Sequence, residues 1–212
     1  NVVYDEVTRE VDYDSNAITE NTRAAYPLEY IENTQLPSLA GHPSNIIFLT
    51  CDASGVLPPI SRLTPEQAMY QFLSGYTARV AGTEMGVLQP QLAFSPCYSA
   101  AFLVRHPVVY ARLLSEKIQL HRAQAWLVNT GWTGGGIGLG KRIDLASTRC
   151  IIDAIHAESL HDMPTERDSV FGLEAVCRVP GVSDRILVPR NAWSDATAWE
   201  DAARTLSEKF RQ

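Results

Sequence analysis

The residues whose types and spacing suggest chemistry gather late in this 212-residue chain, between positions 131 and 148. The stretch 131–140 reads GWTGGGIGLG and runs into Lys141 and Arg142. Gly135 to Lys141 satisfies G-x-x-x-x-G-K, the opening of a loop in which backbone N–H groups and a lysine surround nucleotide phosphates. The next position of such a loop carries Ser or Thr, whose hydroxyl ligates Mg²⁺. Here it is Arg142, a cation with donors only, which cannot ligate a metal. Three readings stay open: a triphosphate cradle, a flexible link between strand and helix, or a nucleotide contact of another kind. For the last, Lys141 and Arg142 sit just before a helix, and a guanidinium can stack on a base or fork to a phosphate. Thr148 lies further on, on a stripe that is otherwise isoleucine. Its hydroxyl either faces protein or ligand, or bonds back within its own helix.

The remaining polar groups weigh less. His42, His106, His121, His156 and His161 form no H-x-x-x-H pair, and no metal site is expected from them. His106-Pro107 suits a helix start and His42-Pro43 a turn. Cys51, Cys97, Cys150 and Cys177 show no C-x-x-C spacing and are expected as reduced, mostly buried thiols. Asp52 follows an apolar run and either caps a turn or orients site groups. Trp132 beside the glycines either covers a ligand or anchors packing.

The elements that must position these groups read as alternating strands and helices, an α/β class. Val2-Val3, Val11–Tyr13 and Ala25–Leu28 are short strand candidates. Asn45–Thr50, NIIFLT, suits a buried strand, and Pro58-Pro59 breaks the chain after it. Thr64, Pro65 and Gln67 open a helix with a capping box. Its apolar face runs Met69, Phe72, Leu73, Tyr76 and Val80, with Gly82 as the stop. Residues 83–99 read as a loop. A second helix follows Pro107 with Tyr110, Leu113, Leu114 and Ile118 on one side. Ala125–Val128 is a strand, and a third helix carries Thr148, Ile151, Ile152 and Ile155. The region 160–193 is irregular, with a strand near Val170–Leu173. A last helix from about Asp195 buries Trp199, Ala202, Ala203, Leu206 and Phe210.

Composition bounds the function. The net charge of −6, with 18 Lys+Arg, excludes a nonspecific nucleic-acid surface. No apolar run approaches the ~18 residues of a membrane span, and NVVYDEVTRE is no signal peptide. The chain lacks an initiator Met and reads as processed or as a piece of something longer.

Several ordered strings together resemble one family, the ATP-dependent phosphoenolpyruvate carboxykinases. They are ENTRAAYP (20–27), FLTCDASGVLPPISRLTPEQAMYQFLSGYTARVAGTE (48–84), LVNTGWTGG (127–135), GKRIDLASTR (140–149) and PRNAW (189–193). The resemblance runs nearly end to end. It implies that residues 1–212 are the C-terminal part of one mononucleotide-binding catalytic domain, a mixed sheet with flanking helices, with the N-terminal domain missing. It also implies a cytosolic, gluconeogenic reaction: oxaloacetate and ATP give phosphoenolpyruvate, ADP and CO₂, with Mg²⁺ and Mn²⁺. By resemblance, Arg23 contacts oxaloacetate and the transferred phosphoryl group, while Arg142, Ile143 and Thr148 bind the nucleotide.

The chemistry suits these residue types. Loss of CO₂ leaves an enolate whose oxygen attacks the γ-phosphorus. The charge that builds on the enolate and phosphoryl oxygens calls for cations and a fixed guanidinium fork. The family's phosphate loop and metal ligands, including an Asp-Asp pair, are expected upstream of ENTR. No Asp-Asp dipeptide occurs in the chain. The chain alone is therefore expected to be inactive, and the alternative is a catalytically inactive nucleotide-binding remnant. Sheet edges left unpaired would also favour aggregation.

Overall fold

The computed structural model describes residues 2–15, 17–18, 24–79 and 91–211. Arg23, Val80 and Gly82, each carrying an expectation above, lie outside the described residues. The chain divides into two compact units. The first comprises 1–42 and 79–91. Its hairpin pairs β1 (Val3–Tyr4) with β2 (Val11–Asp12), antiparallel. Ala25–Leu28 is not a strand: a 3₁₀ turn occupies Leu28–Tyr30 after Pro27, whose φ of −60° suits a turn start.

The second unit, 43–78 and 92–212, holds the core. Its sheet contains β3 (Asn45–Thr50), β4 (Ile60–Leu63), β7 (Gln124–Asn129), β10 (Thr165–Arg167) and β11 (Glu174–Val176), in the order β10-β11-β4-β7-β3. β3 and β7 run parallel, with Phe48 opposite Leu127; β4, β11 and β10 add antiparallel neighbours, so the sheet is mixed. Alternate residues go to opposite faces. Phe48, Leu63 and Leu127 join one core cluster with Ala68, Ile118, Trp199 and Leu206. Ile60, Trp126, Val128 and Val176 join the other with Ile151 and Ile155.

Helices cover both faces: α1 (Pro65–Ser74), α2 (Pro107–His121) and α6 (Ala196–Lys209) on one, α3 (Leu145–His156) on the other. The remaining elements are β5 (Tyr76–Arg79) paired with β6 (Gln91–Phe94), the hairpin β8 (Trp132–Thr133) with β9 (Lys141–Arg142), and the short helices α4 (Asp184–Leu187) and α5 (Pro189–Ala192).

Local chemistry explains the helix starts. Thr64 and Gln67 form the expected capping box of α1. His106 caps α2 through Nδ1, which accepts from Val108 N–H at 3.3 Å, and the Asp195 carboxylate caps α6. Several expectations are corrected. α1 stops at Ser74, because Gly75 adopts a left-handed cap at φ 52° and Tyr76 begins a strand. Within 83–99, Gln91–Phe94 is a strand. β4 follows Pro58-Pro59 directly. Val170–Leu173 is the turn between β10 and β11, drawn tight by Asp168, whose carboxylate accepts from Val170, Phe171 and Leu173 N–H. In β3 Leu49 is 57% exposed, although Ile47 on the same face packs against the second core cluster, so the run is not buried throughout.

Candidate functional site at the carboxyl ends of two parallel strands

In open α/β sheets, ligands sit outside the carboxyl ends of the parallel strands. Here those ends are Thr50 of β3 and Asn129 of β7, and the polar residues beyond them lock into one frame. Asn129 is fully buried. Its Oδ1 accepts from Asp52 N–H at 2.9 Å and Gly131 N–H at 2.8 Å, and its Nδ2 donates to Leu57 O. Asp52, also fully buried, takes donors from Val56 N–H, Leu57 N–H, the Tyr76 hydroxyl, and both the N–H and the hydroxyl of Ser54. Asp52 is thus a turn-former whose carboxylate is consumed by protein donors. Burial, then the Asp52 charge, push the Tyr76 phenol far above its usual range.

The glycine-rich segment packs onto this frame. Trp132 N–H donates to Asp52 O at 2.8 Å, and Ile137 N–H to Ala53 O at 3.1 Å. A Cβ on Gly55 would lie 2.1 Å from Gly135 O, and one on Gly140 would lie 2.0 Å from the same atom. Close backbone approach is therefore what these glycines permit. Trp193 Nε1 donates to Gly55 O at 2.8 Å and holds the turn from the other side.

This geometry removes two of the three readings of the segment. Lys141 and Arg142 lie on β9, facing Thr133 and Trp132 in a hairpin, not at a helix N-terminus. α3 starts only at Leu145, and one of its N-terminal donors, Ser147 N–H, is taken by Asp144 Oδ1 at 2.7 Å, while Asp144 Oδ2 accepts from the Ser147 hydroxyl. Those two bonds hold the Asp144 carboxyl below the usual carboxylate range. A phosphate cradle of the G-x-x-x-x-G-K type needs its helix to begin directly at the lysine, whereas Lys141 and Arg142 are on a strand and Ile143 and Asp144 separate them from α3. The segment is not a flexible link either, since it is hydrogen-bonded to the frame.

What remains is Arg142. It is exposed; its Nε donates to Thr130 O at 3.2 Å, and its Cζ lies 5.6 Å from the centroid of the Trp132 ring. Cys51, buried beneath, feels it: burial raises the thiol's pKa, while the Arg142 charge and the Thr130 hydroxyl pull it down. Ile143 is buried, and its N–H donates to Gly131 O at 2.8 Å. Thr148 is half-buried on the first turn of α3, and its hydroxyl donates to Asp144 O at 3.2 Å. Arg142, Ile143 and Thr148 therefore share the β9–α3 junction, with Arg142 exposed and Ile143 inside. Sequence reasoning missed the frame of Asn129, Thr130 and Trp193. The only local sign of Asn129 is a polar residue closing an apolar strand.

Other cavities occur among the described residues. One of about 380 Å³ is lined by Glu66, Tyr70, Phe171 and Phe210, and another of about 320 Å³ by Asn45, Arg122, Trp126 and His161. Their volume alone gives them no chemistry, whereas Arg142 has a held guanidinium beside parallel strand ends. Among the described residues no three His, Cys, Asp or Glu side chains converge to hold a metal, and no helix is long and apolar enough to cross a membrane.

The chain is similar to known proteins along nearly its whole length. The family model described as phosphoenolpyruvate carboxykinase matches residues 1–185. Phosphoenolpyruvate carboxykinase (ATP) 2 of Salinibacter ruber is 58% identical over 99% of this chain and 40% of its own length. The phosphoenolpyruvate carboxykinase (ATP) of Dictyostelium discoideum is 53% identical over 99% and 37%, and that of Geobacillus kaustophilus 54% over 100% and 40%. This chain thus spans about 40% of the length of these relatives. The mixed α/β sheet, the ordered motifs and the match over 1–185 place the chain in the ATP-dependent phosphoenolpyruvate carboxykinase family.

Proposed function

We propose that this chain supplies the nucleotide end and one substrate arginine of an enzyme that converts oxaloacetate and ATP to phosphoenolpyruvate, ADP and CO₂, in the cytosol and in gluconeogenesis. On this reading residues 1–212 are the C-terminal part of one catalytic domain. The observation that carries it is Arg142: its Nε is occupied by Thr130 O, one side faces Trp132, and among the described residues no hydrogen bond or ion pair engages its terminal nitrogens. That is a preorganised donor group for the nucleotide, with Thr148 and the backbone around Ile143 beside it. Arg23 is assigned to oxaloacetate and the transferred phosphoryl group, where a permanent charge and a planar fork suit developing negative charge.

Mg²⁺ and Mn²⁺ would supply charge neutralisation at the phosphates and at the enolate. Their ligands are assigned, on the resemblance, to the part of the enzyme upstream of ENTR. The residues of this chain bind and orient.

The test compares two neighbouring cations in the full-length protein. Arg142→Ala should raise the KM and Kd for ATP by about tenfold or more, the order expected for a charge-assisted contact. Lys141→Ala, on the exposed strand beside it, should change them by less than about threefold. The opposite ranking would restore the phosphate-cradle reading and remove this one.

A further inference from the structure

We infer that Trp132 is a positioning residue of the nucleotide site, holding Arg142 in the geometry that binds nucleotide. The inference rests on the reading of Arg142 as a nucleotide-binding residue.

Trp132 does not serve the interior. It is half-buried and belongs to neither core cluster, unlike Trp126 and Trp199, which fill the two faces of the sheet. Its backbone is fixed instead. Trp132 N–H donates to the carbonyl of fully buried Asp52, and Gly131 before it has no room for a side chain, since a Cβ there would lie 2.2 Å from Asp52 O. Across the β8–β9 hairpin Trp132 is the direct partner of Arg142. Directly opposed residues on a two-stranded ladder put their side chains side by side, and the guanidinium carbon stands 5.6 Å from the ring centroid. At this distance an indole attracts a guanidinium through its quadrupole.

The constraint is two-point. The ring takes one side of the guanidinium and Thr130 O takes Nε. Among the described residues no hydrogen bond or ion pair engages the two terminal nitrogens. Those nitrogens are the donors left for a ligand. An arginine has four side-chain torsions to immobilise, and a contact that fixes them before binding lowers the entropy cost of the complex. Trp132 would therefore act on nucleotide affinity through Arg142, without touching the reacting atoms.

The experiment is a double-mutant cycle in the full-length protein, read by the Kd for ATP and by the KM and kcat split. Trp132→Leu keeps apolar bulk and loses the π face; it should weaken ATP about tenfold, leaving the KM for oxaloacetate and the kcat at saturating ATP unchanged. Trp132→Phe should stay within about threefold, because a smaller π face remains. In an Arg142→Ala background, Trp132→Leu should add less than about twofold. Additive losses, or equal damage from Leu and Phe, would overturn the positioning role and leave a packing role. A drop in melting temperature with both KM values raised together would overturn it too. If Arg142→Ala alone left ATP affinity unchanged, the nucleotide reading itself would fall, and the inference with it.

Discussion

Tyr98 shows what a single buried group contributes when nothing meets it. Its hydroxyl is out of reach of solvent and has no hydrogen-bond partner among the described residues, and burial pushes its pKa up to about 12 from an ordinary 10.0. A buried, unpartnered hydroxyl costs free energy. Tyr98→Phe should therefore be neutral or stabilising by about 1 kcal/mol near neutral pH, measured by chemical denaturation. The alkaline limb gives a second readout. The folded pKa is raised, so stability is fully present below pH 10 and is lost as pH rises from 10 towards 12, because the unfolded chain releases the proton first. Tyr76, raised by burial and then by Asp52, acts in the same direction. Tyr98→Phe should flatten part of that decline; an unchanged alkaline limb would mean that Tyr98 ionises as freely folded as unfolded. The buried carboxylate of Asp52 differs from Tyr98 because every approach to it is filled by a protein donor.

At the scale of elements, the glycines of the site are spacing devices, and Gly55 is the sharpest case. Its φ is +72°, and an added Cβ would meet Gly135 O at 2.1 Å. Gly55→Ala should cost more than about 2 kcal/mol from backbone strain and overpacking together. It should also raise amide exchange across 131–140 before the rest of the sheet is affected; uniform exchange across the molecule would show that the loop is not docked through this contact. Nothing in the string DASGV announces that partner, which lies 80 residues on. The same limit explains which elements were legible. α1, α2 and α6 carry their own start signals in Thr64, Pro107 and Asp195, and β3 and β7 carry apolar runs. β4, β10 and β11 are three or four residues long and are defined by pairing with distant strands. The apolar period of α1 continues through Tyr76, but Gly75 turns the chain there, where a Cβ would stand 1.8 Å from Ser95 O. At the site, Arg142 and Thr148 could be found by motif, while the bond from Asp52 N–H to Asn129 spans 77 positions and leaves no local trace.

For the whole molecule, the decisive feature is the edge of the sheet. β3 ends the strand order among the described residues, with β7 on one side only. An edge strand presents a row of unpaired backbone donors and acceptors, and proteins protect such edges with charge, proline or a cover. β3 reads NIIFLT, with neither charge nor proline, and among the described residues Leu49 on it is 57% exposed while Phe48 and Thr50 are buried. The relatives are about two and a half times as long as this chain, so further chain is available in them to cover this edge and face. Two outcomes follow for one substitution. In the 212-residue chain, Leu49→Lys places a gatekeeper charge on the exposed edge. It should reduce light scattering on concentration, with helical circular dichroism retained. In the full-length protein Leu49 would be buried, and the same lysine should cost roughly 2–4 kcal/mol, as a buried charge without a partner does. If Leu49→Lys were harmless in both, β3 would be a true outer edge of the enzyme and aggregation would have to arise elsewhere. If it were harmful in both, the Leu49 side of β3 would be covered within these 212 residues.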